Sequence, residues 1–223
     1  DSDQTWYAGE QLARGGLFQF LEARSNQQWV LISTALAGAM LSQNKMNPLK
    51  LPLEVKNLER VKLVTFSIGG NDICSDLNPF LKRDTDPTRL LFELKNTLPK
   101  DTVYAALKVP PVSQMYQAIT AQLEALPESP AKRKLQNYCK QMWEDLSCPA
   151  LKEGDEKISL LRNRIISAFE NAGVKMIDLD RGMANTNVLD LLSSDCFHPS
   201  RKTQRAIFDA TAKVLDRELF RNP

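Results

Sequence analysis

The stretch VKLVTFSIGGND, residues 61–72, joins a buried strand to the turn that ends it. Its first eight residues are mostly apolar or β-branched, as expected for a strand that helices cover on both faces of a sheet. Two glycines follow, and they allow a tight turn with close approach of the backbone. Asn71 and Asp72 therefore emerge at the carboxyl end of a strand, where open α/β sheets form their sites, although such a sequence is also common in ordinary turns.

Three further stretches have the same apolar character: WVLIST (29–34), TVYAALKV (102–109) and VKMID (174–178). Helical patterns lie around them, at residues 16–24, 156–173 and 201–220. This alternation of strands and helices predicts an α/β fold, a three-layer α/β/α sandwich around a mostly parallel sheet with right-handed crossovers.

The two C-terminal helical patterns each show one apolar face that we expect to be buried. The face of the earlier helix consists of Ile158, Leu161, Ile165 and Phe169. Gly173 is placed to cap the end of that helix. The face of the later helix consists of Phe208, Ala212, Leu215 and Leu219.

Residues 110–155 interrupt the alternation. This segment carries two of the four cysteines, and its sequence favours helices around residues 115–126 and 132–146. We expect it to leave the sheet toward the open end of the domain, as a lid or as a wall of a substrate site. The chain shows no domain boundary, so residues 1–223 are expected to form a single domain.

The composition is ordinary for a globular protein, with 43% hydrophobic residues, 25% charged residues and a formal net charge of +2. Basic residues occur in scattered pairs without interleaved aromatic residues, so nothing points to nucleic acid. No apolar run approaches the length of a membrane span. Because no signal peptide is visible and the first residue is not Met, we interpret the chain as a processed or trimmed product.

The cysteines Cys74, Cys139, Cys148 and Cys196 contain no CxxC pair, which argues against a zinc site. Their even number allows two disulfides with three possible connectivities. Because Cys139 and Cys148 are close in sequence, the simplest prediction is a bond between them. Four buried free thiols are the alternative. Disulfides favour an oxidising compartment, so we expect a secreted, periplasmic or lumenal protein.

SSDCFHPS, residues 193–200, contains His198, the only histidine in the chain. One histidine cannot form a histidine-rich metal site, but it can act as a general base because imidazole titrates near neutral pH. Asp195 lies three residues before it, and Pro199 restricts His198 to an extended backbone, which suits a held loop. An ordinary loop or core histidine is the alternative interpretation.

Three motifs of this chain resemble, in the same order, three sequence blocks of the SGNH (GDSL) hydrolase superfamily. They are Gly38 after the strand at 29–34, Gly69-Gly70-Asn71-Asp72, and Asp195-Cys196-Phe197-His198. The fuller strings FSIGGNDIC and DCFHPS look like its phospholipase B-like members. The resemblance covers nearly the whole chain in block order, except that residues 110–155 carry no family motif. It implies a flavodoxin-like sandwich with the activity of a serine esterase or lipase.

The family's first block is Gly-Asp-Ser at the end of the first strand, with the serine as nucleophile. The resemblance identifies Asp1-Ser2 as the last two letters of this block, so the glycine and the first strand are missing from this chain. A separate chain or an upstream segment would then supply that strand. An ordinary N-terminal serine is the alternative.

The resemblance implies acyl transfer through a covalent ester on Ser2. His198 would accept the serine proton, while Asp195 would orient the imidazole and stabilise its cation. The oxyanion would be bound by the N–H groups of Ser2 and Gly38 and by the side chain of Asn71. We expect a structural role for Asp72. A disulfide joining Cys74 to Cys196 would brace the two site loops, provided that the middle cysteines also pair.

The activity implied is hydrolysis of carboxylic esters, with phospholipids or lysophospholipids as substrates and with peripheral contact at a membrane. No metal and no organic cofactor is required. A carbohydrate acetylesterase on the same fold is one alternative. A non-catalytic binding protein that has lost the nucleophile is the other.

Overall fold

A computed structural model describes residues 17–27, 29, 41, 58–67, 69–74, 87–179 and 187–220. Three of the predictions fall outside these residues. They concern the strand at 29–34 apart from Trp29, the glycine block at Gly38 and the serine at Ser2, and they stay predictions.

The described part of the sheet has three parallel strands, each inside a stretch predicted to form one. They are β1 (Leu63–Phe66), β2 (Val103–Leu107) and β3 (Lys175–Ile177), in the order β1-β2-β3. Phe66 pairs with Ala106, and Leu107 pairs with Ile177. The carboxyl ends of all three strands therefore lie at one edge, and the segments that follow them are brought together there.

Helices fill most of the remaining described residues. They are α1 (Leu17–Ser25), α2 (Gly70–Cys74), α3 (Pro87–Thr97), α4 (Val112–Glu124), α5 (Pro130–Gln141), α6 (Asp155–Asn171), α7 (Val188–Leu191) and α8 (Arg201–Phe220). A π-helix, Met142–Ser147, continues α5. Short 3-10 helices cover Leu58–Arg60 and Pro149–Glu153. The helices expected within residues 110–155 are thus confirmed.

Helices cover both faces of the sheet. On one face, Tyr104 and Ala106 of β2 lie in a core cluster with residues of α2, α3, α4 and α6. On the other face, Ala105 packs with residues of α1 and α8. Successive residues of β2 point to opposite layers, as the pleat of a strand requires. The three-layer α/β/α sandwich is confirmed.

The predicted apolar face of α6 is the centre of the first cluster. Ile158, Leu161, Ile165 and Phe169 are all at most 2% exposed. Gly173 ends this helix with a φ of +71°, in the left-handed region that favours glycine. The chain closes there with hydrogen bonds from Gly173 N–H to the Glu170 carbonyl and from Val174 N–H to the Phe169 carbonyl, which is a Schellman cap.

The predicted apolar face of α8 is only partly correct, since Leu215 is buried but the other three predicted residues are not. The residues buried along this helix are Thr203, Ile207, Thr211 and Leu215, whereas Phe208 and Leu219 are only partly buried. Thr211 can occupy the buried centre because its hydroxyl donates to the Ile207 carbonyl at 2.7 Å. A pattern that counts only apolar residues therefore misplaces the face.

The predicted disulfide between Cys139 and Cys148 is wrong, and so is the pairing of Cys74 with Cys196. The bonds are Cys74–Cys148 and Cys139–Cys196, which also excludes free thiols. The local pairing fails because α5 and the π-helix fill the interval between Cys139 and Cys148. The residues from 140 to 147 are all helical, and a helical run of this length separates its ends by roughly 12 Å, beyond the reach of about 7 Å that a disulfide allows.

Replacing both Cys74 and Cys148 with serine should lower the free energy of unfolding by about 4 kcal/mol, because their bond spans 74 residues of the unfolded chain. Urea denaturation of the double variant and the wild-type protein measures this difference. Non-reducing peptide mapping supplies the control, and a direct link between Cys139 and Cys148 would contradict the observed pairing.

Candidate active site

Asp195 and His198 form a hydrogen-bonded pair within one short loop. His198 Nδ1 lies 2.6 Å from Asp195 Oδ2. The other carboxylate oxygen, Oδ1, accepts the backbone N–H groups of Phe197 and His198, each at 3.0 Å. The three-residue spacing lets one aspartate fix both the ring and the backbone of the histidine.

Hydrogen bonds keep Asp195 ionised. Burial by itself raises the pKa of this carboxyl, but the Ser193 hydroxyl, the Phe197 N–H, and the ring and N–H of His198 all donate to it. Together they hold the pKa of Asp195 well below its usual range. Asp195 is therefore a carboxylate at neutral pH.

The ionised carboxylate decides which nitrogen of His198 carries the proton. A carboxylate only accepts hydrogen bonds, so Nδ1 must be the donor in the neutral imidazole. Nε2 is then the basic nitrogen that can take a proton from another group. The side chain of His198 is 68% exposed, so a reacting group can approach Nε2 from outside the loop.

The loop that carries this pair is closed at its base. The Ser193 N–H donates to the His198 carbonyl at 2.7 Å, and Leu192 forms an antiparallel bridge with Pro199. Ser200 then caps α8, because its hydroxyl accepts the backbone N–H of the third helical residue. The loop is held, as the position of Pro199 predicts.

The second site loop contains Asn71, which is exposed in the first turn of α2. Gly69, just before it, has a φ of +101°. A Cβ atom at Gly69 would lie 2.8 Å from a methyl carbon of Val109 and 3.2 Å from one of Ile165. Only glycine fits this turn, which confirms the role that the sequence predicts for a glycine there.

Asp72 does not face solvent. It is 2% exposed and accepts the backbone N–H of Leu41 at 3.0 Å. Leu41 lies three residues after Gly38, so this bond ties the chain beyond the predicted glycine block to α2. The contact fits the structural role expected for Asp72.

The disulfides attach both site loops to one segment, residues 139–148. Cys74, at the end of α2, joins Cys148, and Cys196, between Asp195 and His198, joins Cys139. All four cysteines are buried. The loops that carry Asn71 and His198 are thus brought to the same segment of the region 110–155.

Trp143 also contacts the His198 loop, and sequence analysis missed it. Its indole N–H donates to the Cys196 carbonyl at 2.6 Å, and its ring lies 4.8 Å from the ring of Phe197. The sequence contains one indication of this contact: Cys139 and Trp143 are four positions apart and therefore share a helical face. That signal becomes informative only when the partner of Cys139 is known.

Ser2 and Gly38 lie outside the described residues, so the nucleophile and the backbone donors of the oxyanion site stay predictions. Among the residues that the structure describes, no helix has the length and apolar content needed to cross a bilayer.

A family profile described as GDSL-like Lipase/Acylhydrolase matches residues 14–211 of the chain. The matched span includes Gly38, the loop with Asn71 and the loop with His198, whereas Ser2 lies before it. Comparisons with curated proteins and with solved structures gave no match.

Gly69→Ala should lower the free energy of unfolding by about 2–4 kcal/mol, because the new Cβ meets Val109 and the positive φ is strained. Gly70→Ala is the matched control: its Cβ meets no atom within 4 Å, so a change of at most about 1 kcal/mol is expected. Urea denaturation of both variants measures the difference, and equal effects would contradict the geometry of the turn.

Because the pKa of Asp195 is lowered on folding, its ionisation stabilises the protein above the unfolded carboxyl pKa of about 3.9. This contribution is lost as the pH falls through the folded-state pKa. Asp195→Asn cannot titrate, so the urea midpoint of the wild-type protein should exceed that of the variant near neutral pH. The difference between the two urea midpoints should become smaller as the pH falls below about 4.

The control is Asp209→Asn, which removes a surface carboxylate from an exposed ion pair with Arg205 on α8. Urea midpoints of the three proteins are measured from neutral pH down to about pH 3. The prediction is contradicted if the difference in urea midpoint between wild type and Asp195→Asn does not change over this pH range. The ionised form of Asp195 would then not be specifically stabilised by folding.

Proposed function

The chain belongs to the GDSL-like lipase/acylhydrolase family, which makes it an ester hydrolase, and we propose that a serine, a histidine and an aspartate carry the reaction. One observation carries this proposal. His198 donates from Nδ1 to an ionised Asp195, and its exposed side chain leaves Nε2 as the basic nitrogen. A general base in an esterase requires this arrangement.

The reaction begins at Ser2. His198 Nε2 takes the proton from the Ser2 hydroxyl as Oγ bonds to the carbonyl carbon of the ester. The tetrahedral intermediate collapses, and the alcohol leaves with the proton from the imidazolium. Water then attacks the acyl-enzyme as His198 takes its proton, and the second tetrahedral intermediate collapses. The imidazolium returns this proton to Ser2 Oγ, which releases the carboxylic acid and restores the free serine and the neutral histidine.

Asp195 stays ionised throughout and stabilises the imidazolium that forms at each step. The lowered pKa of this carboxyl supports that role. The negative charge on the ester oxygen is bound by the N–H groups of Ser2 and Gly38 and by the amide of Asn71. The exposed position of Asn71 at the carboxyl edge of the sheet supports its part in this site.

We further infer that residues 110–155 form a fixed wall of the site. Cys139, Trp143 and Cys148 are buried in the core, and the two disulfides attach this region to both site loops. A lid that swings open would have to break these contacts. A wall held in this way would shape the space next to His198.

The substrates proposed are acyl esters of phospholipids or lysophospholipids, on the strength of the likeness of FSIGGNDIC and DCFHPS to phospholipase B-like proteins. The wall contains features that suit such lipids. Leu135, Tyr138 and Leu146 are exposed there, at 37%, 42% and 65%. Helix α5 contains no acidic residue and exposes Arg133, Lys134 and Lys140, which favours peripheral contact with anionic headgroups.

Two disulfides also support a secreted, periplasmic or lumenal location, because such bonds persist in oxidising compartments.

His198→Ala should reduce kcat/KM for a chromogenic ester by roughly 10³- to 10⁴-fold, because it removes the group that moves the proton. The far-ultraviolet circular dichroism spectrum should not change, since the side chain is exposed. A fluorophosphonate probe should label Ser2 in the native full-length protein, and labelling should disappear in His198→Ala and in denaturant.

Ser67→Ala is the matched control, because Ser67 is an exposed serine that directly follows β1. It should keep full labelling, whereas Ser2→Ala should abolish it. An adduct on Ser67 would overturn the placement of the nucleophile. No labelling of a folded protein would remove serine catalysis and leave a binding protein.

The substrate class is tested by comparing a p-nitrophenyl acetate with a long-chain p-nitrophenyl ester and with lysophosphatidylcholine. We expect the long acyl chains to be preferred. A preference for acetate would overturn the lipid assignment and favour an acetylesterase, while serine catalysis itself would stand.

A further inference from the structure

We propose that Trp143 is a positioning residue for His198: it acts through the loop and does not touch the substrate. The inference rests on the proposed function, because it concerns the same histidine. Trp143 is 2% exposed, and its indole N–H donates to the carbonyl of Cys196 at 2.6 Å. Cys196 lies two residues before His198.

Cys196 has an unusual backbone that needs support. Its φ is +63°, in the left-handed region that non-glycine residues seldom adopt. Three contacts hold it there: its disulfide to Cys139, its N–H donated to the Ser193 carbonyl at 3.0 Å, and its carbonyl accepting from Trp143. Trp143 therefore contributes one of the contacts that fix the direction of the chain entering His198.

The helix makes this contact possible. Cys139 lies in α5, and Trp143 lies four positions later in the π-helix that continues it. Residues spaced in this way share a helical face, so the covalent bond and the hydrogen bond reach Cys196 from the same side. The loop is anchored to one rigid element.

A second path leads from Trp143 to the imidazole through aromatic rings. The ring of Phe197 lies 4.8 Å from that of Trp143 and 5.4 Å from that of His198, in edge-to-face arrangements. Trp143 also packs against Tyr116 of α4, with the ring centroids 5.6 Å apart. The Tyr116 hydroxyl is hydrogen-bonded to Glu144, the residue after Trp143. The indole is thus held between α4 and the loop.

These contacts set the position of the ring rather than its charge. The bond between His198 and Asp195 is internal to the loop, so it aligns the two side chains with each other. It does not determine where Nε2 lies relative to a serine on another part of the chain. The contact from Trp143 fixes the loop against the body of the protein, and a misplacement of about 1 Å can reduce a rate by roughly 100-fold.

Trp143→Phe tests the inference because it keeps an aromatic ring and removes the indole N–H. We expect kcat to fall by roughly 10- to 100-fold while KM changes by less than about threefold. Trp29→Phe is the matched control. It also removes an indole hydrogen bond, from Trp29 to Ser25 at 2.8 Å, but in the other layer of the sandwich. Its kcat should not change.

A second readout does not depend on activity. His198 is the only histidine, so nitrogen-15 histidine labelling of the untagged protein reports this ring alone in NMR spectra. The Nδ1 and Nε2 signals should shift or broaden in Trp143→Phe and remain in place in Trp29→Phe. Unchanged signals in Trp143→Phe would overturn the inference, whatever its activity.

If circular dichroism shows that Trp143→Phe does not fold, Phe197→Leu takes its place, because it removes the ring between Trp143 and His198. Its histidine signals must then move, and unchanged signals would overturn the inference. If the signals move while His198→Ala keeps full esterase activity, the proposed function fails and the positioning of His198 by Trp143 stands.

Discussion

Two disulfides that start from one short segment, residues 139–148, hold the candidate site together. One ends at Cys74, beside the loop with Asn71, and the other ends at Cys196, inside the loop with His198. The bonds span 74 and 57 residues. Without them, folding would have to bring these distant residues together at a cost in conformational entropy, whereas the disulfides already restrict the unfolded chain. The site loops can therefore remain exposed at their tips while their bases are fixed.

That exposure matters because the proposed chemistry needs a histidine that is both accessible and oriented. Burial would restrict the approach of a substrate, whereas a free loop would spread the imidazole over many positions. Asp195 solves the local part of this problem, since its ionised carboxylate sets the tautomer and holds the backbone of the loop. Trp143 and the bond from Cys139 solve the remaining part by attaching the loop to a helix.

The sheet supplies the same kind of support to the other loop. Gly69 packs against Val109, beyond the end of β2, and against Ile165 of α6, so the turn before Asn71 lies directly on the core. Asp72 of α2 accepts a hydrogen bond from the backbone N–H of Leu41. The first turn of α2 is consequently fixed by two contacts, as the role proposed for the Asn71 amide would require.

Local sequence patterns predicted much of the secondary structure and part of the candidate site. Short apolar runs predicted strands within residues 61–68, 102–109 and 174–178, and the structure has strands at 63–66, 103–107 and 175–177. Helical periodicity placed the buried face of α6. The turn at Gly69 and the pair of Asp195 and His198 were also visible, since each depends on residues close in sequence. Periodicity misplaced the face of α8, where Thr211 is buried through a hydrogen bond that hydrophobicity does not record.

Only the tertiary structure decided which cysteines pair and what Trp143 contacts. Nearness in sequence favoured Cys139 with Cys148, but the helical rise between them separates the two residues, while the fold places their true partners, Cys196 and Cys74, against them. A sequence specifies which residues lie on one face of a helix. The residues that meet that face come from distant parts of the chain, and their identity depends on how all the layers pack.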